Sequence, residues 1–295
     1  MRNRSRPMVF FHKNWRQRRS VLYMPSTNRR VLEKAPHLDC DGVVFDLEDS
    51  IADEARAGAH QNLRELVKDT DFGGKERIIR LPQLGSASFA EDLAVSLSCK
   101  PDALLLPKVG NASDIEAFQQ MLEEAPADLQ IWAMIETPQA LINLKEIAAC
   151  GNNTRLNCLV IGPNDLAKET GAKMEPGREV MLPWLMQILA AARAYNLSIL
   201  DGVYNNFRDL EGLDAECQQG ASMGYDGKTL IHPAQIEAAN LRFGPSETDI
   251  KQAETIIAAF DDPANAGHAV LQIEGEMFEF LHLGMARQLI SSLKD

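Results

Sequence analysis

The sequence predicts a (β/α)8 barrel followed by a C-terminal extension. Eight short apolar runs recur along it, helix-like stretches alternate with them, and most runs close on a polar or charged residue. Continuously apolar, β-branched strands belong to parallel sheets buried on both faces, and eight βα repeats over roughly 250 residues make one barrel. A doubly wound open sheet is the alternative. No Gly-x-Gly-x-x-Gly follows the first run, so dinucleotide binding has no support.

In order, the strands are read at Val21–Pro25, Gly42–Glu48, Arg77–Leu81, Ala103–Lys108, Gln130–Glu136, Cys158–Gly162, Ser198–Val203 and Gly227–His232. Ser113-Asp-Ile-Glu116 has capping-box spacing ahead of a helical pattern. Thr137-Pro138 sets an N-cap before a first-turn proline, and that helix stops near Gly151; Gly73-Gly74 and Gly220 end others. After His232 the pattern changes. Pro245–Phe260 reads as a surface helix, Asp261–Gly267 as a linker, Ala269–Ile273 as a short strand, and a last helix begins near Glu279. The expected organisation is a basic tail (1–17), a barrel (18–244) and an extension (245–295) acting as a lid or an arm exchanged between subunits.

Composition excludes several classes. The net charge is −12, yet the first 30 residues hold nine Lys or Arg and no acid, which leaves −21 for the remainder. An acidic body argues against a nucleic-acid surface. No run approaches the roughly 20 apolar residues that cross a bilayer, so no membrane partner is expected. The five cysteines are scattered without a Cys-x-x-Cys pair, which favours buried thiols in a reducing compartment. The expected location is cytoplasmic, with the mitochondrial matrix as the alternative. The basic head, including Arg2, Arg4, Arg6, Lys13 and Arg16, reads first as a solvated tail and next as a contact for phosphate or a neighbouring subunit.

Reactive groups of such barrels sit where the strands run out at the C-terminal face. The last polar residues there are Glu48 and Asp49, Arg80, Lys108, Glu136, Asp165, Asp201 and His232. Glu136 and Asp165 lie 29 positions apart, one strand-plus-helix unit, so their carboxylates converge from neighbouring strands. An all-oxygen pair without adjacent His or Cys suits Mg²⁺ rather than zinc; the bland alternative is a pair of helix-capping acids. Arg80 is placed to fork onto a carboxylate or stabilise an oxyanion, or else to pair with Glu48 or Asp49. Asp46, Glu48 and Asp49 are too many acids for one ion and are assigned to contacts with Arg80 or with bound water. Lys108 as a Schiff-base nucleophile needs a depressed pKa, so an acidic rim favours a ligand-contact or structural role. His232, followed by Pro233, reads as a hydrogen-bonded strand-end residue.

Six motifs in order then carry a resemblance: Arg19-Ser-Val-Leu-Tyr-Met-Pro25, Val44-Phe-Asp-Leu-Glu-Asp49, Leu106-Pro-Lys108, Ile135-Glu-Thr137, Gly162-Pro-Asn-Asp-Leu166 and Gly224-Tyr-Asp-Gly-Lys-Thr-Leu-Ile-His-Pro233. The chain from about residue 18 onward resembles the citrate lyase β-subunit-like branch of the HpcH/HpaI aldolase superfamily. The resemblance implies a Mg²⁺-dependent lyase that splits a 3-hydroxyacyl thioester, such as citramalyl-CoA, malyl-CoA or a citryl thioester, into acetyl-CoA or a homologue and a 2-oxo acid. It implies metal carboxylates at Glu136 and Asp165, a substrate-binding arginine at Arg80, and a homotrimer or a hexamer built from trimers. Lys108, Glu48 and Asp49 complete the expected site. Arg18, Arg19, Arg30 and Lys34 are the basic residues expected to meet the CoA phosphates. In many relatives the arm carries a catalytic aspartate in Gly-x-Met-x-Asp; here Gly275-Glu-Met-Phe-Glu279 places Glu279 at that point, and Leu81-Pro82-Gln83 replaces a common Val-Asn. Two rivals stay open: an aldolase on free 2-oxo acids, and a non-catalytic or carrier-protein-dependent subunit.

Overall fold

The computed structural model describes residues 16–48, 51–68 and 70–293. Eight parallel strands close into a barrel in sequence order: β1 (Ser20–Pro25), β2 (Gly42–Asp46), β3 (Glu76–Arg80), β4 (Ala103–Leu106), β5 (Gln130–Ile135), β6 (Leu156–Ile161), β7 (Ser198–Asp201) and β8 (Gly227–Leu230). Closure comes from β8 pairing with β1, Lys228 opposite Ser20. The barrel expectation holds and the open sheet is excluded. Every strand except β1 stops one or two residues short of the end expected for it, because the chain leaves the ladder there and turns toward the next helix.

The helices outside are α1 (Arg29–Leu32), α2 (Arg56–Asn62), α3 (Phe89–Ser98), α4 (Ala112–Met121), α5 (Pro138–Ile142), α6 (Leu144–Ala149), α7 (Pro163–Thr170), α8 (Leu182–Ala194), α9 (Leu210–Met223) and α10 (Ile236–Phe243). Both faces of the strands are buried. Val21, Val44, Ile78, Leu105, Trp132, Met134, Val160 and Leu200 point inward and form one core. Val43, Phe45, Ile79, Leu104, Ile131, Leu159 and Ile199 point outward and pack with the helices in another.

Arg18 fills the N-terminal opening of the barrel. Its guanidinium meets both oxygens of Glu76 at 2.7 and 2.9 Å, Ser198 Oγ at 2.7 Å and Asn157 Oδ1 at 3.0 Å, and lies 5.0 Å from the Trp132 ring centre. Gly227 allows this: a Cβ there would stand 1.7 Å from the Arg18 carbonyl oxygen.

From Gly244 onward the chain belongs to a second compact unit. It holds α11 (Glu247–Asp261), a hairpin of β9 (Val270–Ile273) and β10 (Glu276–Glu279), and α12 (Phe280–Ser292). Ala253, Ile256, Phe278, Leu283 and Ala286 form its core. The sequence reading contained β9 but not β10. The two-residue turn Glu274-Gly275, with φ of 51° and 93°, reverses the chain as a type I′ hairpin turn does. All five cysteines are free and buried. Among the described residues no helix is long and apolar enough to cross a membrane.

Candidate active site

At the C-terminal rim the chain leaves each strand by a locally determined turn. Glu136 stands between the end of β5 and Thr137, whose Oγ1 accepts the Ala140 N–H at 3.0 Å and so caps α5. Asp165 lies in the first turn of α7, which Pro163 starts and where the helix dipole favours an acid. Gly162, which precedes α7, makes room for Glu136: a Cβ there would fall 2.5 Å from both Glu136 Cβ and Oε2.

Both carboxylates converge on one cation, the Lys108 ammonium. Its Nζ contacts Asp165 Oδ2 and lies 3.5 Å from Glu136 Oε1, and the Lys108 backbone N–H donates to the same Glu136 oxygen at 2.8 Å. Lys108 does this from a left-handed backbone with φ of 54°, a conformation that costs a side-chain-bearing residue roughly 1 kcal/mol. Burial pushes the Glu136 carboxyl up to about 7, against the opposing pull of Lys108. Burial acts in the same direction on Asp165, but hydrogen bonding to and charge of Lys108 outweigh it and hold that carboxyl below its ordinary value. For Lys108 burial is again outweighed, here by Asp165 and Glu136, and its pKa is raised. A raised pKa opposes Schiff-base chemistry.

Arg80, at the end of β3, is buried and held on three sides. Nε and an NH2 donate to the two Asp46 oxygens at 2.7 Å each, NH1 pairs with Glu48 at 2.7 Å, and the Tyr23 ring centre lies 5.0 Å from the guanidinium carbon. Glu48 is steadied by its own N–H donating to Asp46 Oδ1 at 3.0 Å. Arg56 donates to the Leu47 carbonyl at 3.2 Å and pairs with the buried Asp92, tying down the chain that carries Glu48. Asp49 lies outside the described residues.

Glu136, Asp165, Arg80 and Asp46 open onto a cavity of about 330 Å³. Tyr23, Asp46, Arg80, Glu136, Asn164 and Asp165 supply its polar lining, and Met134, Pro163, Val203 and Ile231 part of its apolar wall. Gln235 holds that wall in place: its Oε1 accepts the N–H groups of Ile231 and His232, and its Nε2 donates to the Tyr204 carbonyl. Tyr23 and Gln235 were not singled out from sequence. Tyr23 sits inside an apolar run and reads there as core.

Three expectations are corrected. Arg19 does not face the rim; it precedes β1 and pairs with Asp41 at 2.7 Å, just ahead of β2, at the opposite end of the barrel. Arg18 lies at that same end. Asp201 is not a rim acid either. It is on the outer side of β7, sealed against Arg178 at 2.7 Å and Lys228 at 3.0 Å, with Glu216 of α9 completing the cluster. Arg30 and Lys34 are exposed on and just after α1, which follows the rim end of β1. His232 accepts the Ala234 N–H and stacks 4.5 Å from Phe207, a strand-end role as expected. Glu279 is exposed at the N-cap of α12, its N–H donating to His282 Nδ1 at 2.9 Å.

The donor set fits a hard divalent cation: two carboxylates already reach a single positive charge, and every side-chain donor is oxygen. Among the described residues no three His, Cys, Asp or Glu side chains are grouped to hold a metal. That is no obstacle for Mg²⁺, which commonly binds through one or two carboxylates and substrate oxygens.

Fold and site together define a (β/α)8 barrel with a carboxylate cation site and a buried arginine at its C-terminal rim. The chain belongs to the HpcH/HpaI aldolase/citrate lyase family, whose profile matches residues 19–233. It is 45% identical over 273 residues to a (3S)-malyl-CoA thioesterase of Cereibacter sphaeroides (strain KD131), covering 92% of this chain and 93% of that one. It is 30% identical to the mitochondrial citramalyl-CoA lyase of Homo sapiens, covering 95% and 86%. The Mycobacterium tuberculosis protein CitE, solved with magnesium, acetoacetate and coenzyme A, superposes with a TM-score of 0.76 at 25% identity, covering 94% of this chain and 98% of that one.

Proposed function

We propose that the chain is a Mg²⁺-dependent carbon–carbon lyase that cleaves a short 3-hydroxyacyl-CoA of the malyl or citramalyl type into acetyl-CoA or a homologue and a 2-oxo acid. One observation carries the reading: Glu136 and Asp165 share a single cation beside the buried Arg80. Those two carboxylates would hold the ion, which when bound supplies Lewis-acid polarisation of the 2-oxo acid half. Arg80, fixed by Asp46 and Glu48, stabilises the negative charge that the thioester gains as the bond breaks. Lys108 contacts the substrate carboxylate, Arg30 and Lys34 meet the CoA phosphates, and Glu279, supplied by an adjacent subunit, carries the proton.

The working form is a homo-oligomer, a trimer or a hexamer built from two trimers, acting in the cytoplasm. Support for self-association comes from Met277, Phe280, Leu281 and Met285, large apolar side chains exposed on the C-terminal unit. Light scattering of the purified protein tests it.

A second reading, hydrolysis of the thioester, is favoured by the name of the 45% identical relative. A panel of 3-hydroxyacyl-CoA substrates with Mg²⁺ separates the two: a lyase releases 2-oxo acid and keeps the thioester, whereas a thioesterase releases free CoA thiol. The same panel run against free hydroxy acids tests the aldolase alternative. Glu136→Gln or Asp165→Asn should abolish turnover, and full activity in either would remove the metal assignment. Glu279→Gln should slow turnover by about 10²-fold or more if that carboxylate moves the proton.

A further inference from the structure

Tyr23 projects from β1 into the cavity beside Arg80. Its hydroxyl oxygen is sealed from solvent and meets no hydrogen-bond partner among the described residues. A buried hydroxyl left unpaired costs about 1–3 kcal/mol, and phenylalanine would fill the same space without that cost. Because Tyr23 lines the cavity, unlike Ser26 and Trp132, whose buried polar atoms also lack a partner among the described residues, a group that binds there supplies one after a small turn of the ring. Arg80, whose guanidinium carbon lies 5.0 Å from the Tyr23 ring centre, can only donate, and the two residues line the same cavity, so a tyrosine O–H and a guanidinium stand side by side as donors at its wall. Such a pair binds an oxygen that carries or acquires negative charge.

We propose that Tyr23 is a catalytic residue whose O–H donates to the thioester carbonyl oxygen of the substrate, alongside Arg80, as that oxygen becomes an enolate. The assignment rests on the lyase reading and deepens it. In the cleavage, the 3-hydroxyl loses its proton to the proton-carrying carboxylate, and its oxygen electrons form the carbonyl of the 2-oxo acid. The C2–C3 bonding pair moves into the thioester, placing charge on the oxygen that Tyr23 and Arg80 hold. The proton then returns to C2 and yields the shorter acyl-CoA. Tyr23 keeps its own proton throughout: burial pushes the phenol pKa up, beyond the opposite pull of Arg80, so the group donates and does not serve as base.

The test is Tyr23→Phe, read three ways beside the wild type. Removing one oxyanion donor should lower kcat for 3-hydroxyacyl-CoA cleavage by about 10²–10³-fold with KM little changed. The exchange of acetyl-CoA methyl protons for deuterium in D2O, followed by NMR, isolates enolate formation and should fall by a similar factor. Mg²⁺-dependent pyruvate binding by calorimetry should stay at the wild-type value, and the Tm of the unliganded protein should rise, because the variant sheds the unpaired hydroxyl. Wild-type exchange in Tyr23→Phe overturns the proposal, as does a kcat loss matched by lost pyruvate binding or lower Tm. If the wild type itself neither cleaves any 3-hydroxyacyl-CoA nor exchanges acetyl-CoA protons, the lyase reading falls, and the proposal with it.

Discussion

Replacing Gly162 by alanine isolates the crowding that positions Glu136. Gly162 has φ of −105° and ψ of 80°, outside the left-handed region that only glycine favours, so the contacts of the new Cβ dominate the effect of the change. The new Cβ would meet Glu136 Cβ and Oε2 at 2.5 Å and Cδ at 3.2 Å. Carbon contacts settle at about 3.5–4.0 Å, so the glutamate side chain must retreat by about 1 Å. That motion breaks the 2.8 Å hydrogen bond from the Lys108 N–H to Glu136. A hydrogen bond to a charged group is worth about 1.5–3 kcal/mol, which as lost ion affinity is about 10- to 150-fold. Overpacking separately lowers unfolding free energy by about 1–3 kcal/mol. Calorimetric Mg²⁺ titration and urea unfolding read the two effects independently. If Gly162→Ala bound Mg²⁺ within about twofold of wild type, close packing would not be what aims this carboxylate.

Three further outcomes are expected. Glu136 has its folded-state pKa raised from 4.5 to about 7, so the cost of ionising it is absent below pH 4.5, grows as pH rises and levels off above 7. In EDTA at pH 8, Glu136→Gln should therefore be more stable than wild type by roughly 3 kcal/mol, and a lower Tm for the variant would contradict this. Lys228 is fully buried on Asp201 and Glu216, and Lys228→Met leaves both acids short of a partner. Urea unfolding should show a loss of about 3–5 kcal/mol, and a loss under 1 would mean the cluster relaxes at little cost. Asp201 has its pKa held below 3.8 because Lys228 and Arg178 outweigh burial, so its contribution is present above pH 3.8 and is lost as pH falls through the folded value. In Lys228→Met that acid loss should begin at higher pH in a circular-dichroism titration; an unchanged acid midpoint would count against the pairing.

The strands were legible because burial on both faces leaves uninterrupted apolar runs such as Gly42–Asp46 and Ala103–Leu106. That same burial erased the alternation that reports which way a side chain points. Asp201 consequently read as a rim acid when it faces the helices. Strand ends were overrun at Glu48, Lys108 and His232, since an apolar pattern does not say where the backbone ladder stops. Glu136, Asp165, Arg80, Lys108 and Glu48 were readable because an acid or a base is conspicuous after an apolar run. Tyr23 was not, since a phenol among Leu and Met looks like core until its hydroxyl is found without a partner. The misplacement of Arg18 and Arg19 was avoidable: residues that precede a strand of a parallel barrel stand at its N-terminal end. The hairpin turn Glu274-Gly275 also carried a signal, a glycine between two short alternating segments, which the reading of a linker and helix passed over.

The stopper formed by Arg18 closes the lower end of a core that the strands have already packed. Because that side chain comes from ahead of the first strand, the lower mouth is shut by a residue that the sheet itself does not supply. A carrier protein joined in front of Gln17 leaves the plug in place. A chain begun at Ser20 would instead leave the Glu76 carboxylate stranded beneath Trp132, a charge without its counter-charge at the bottom of a packed core.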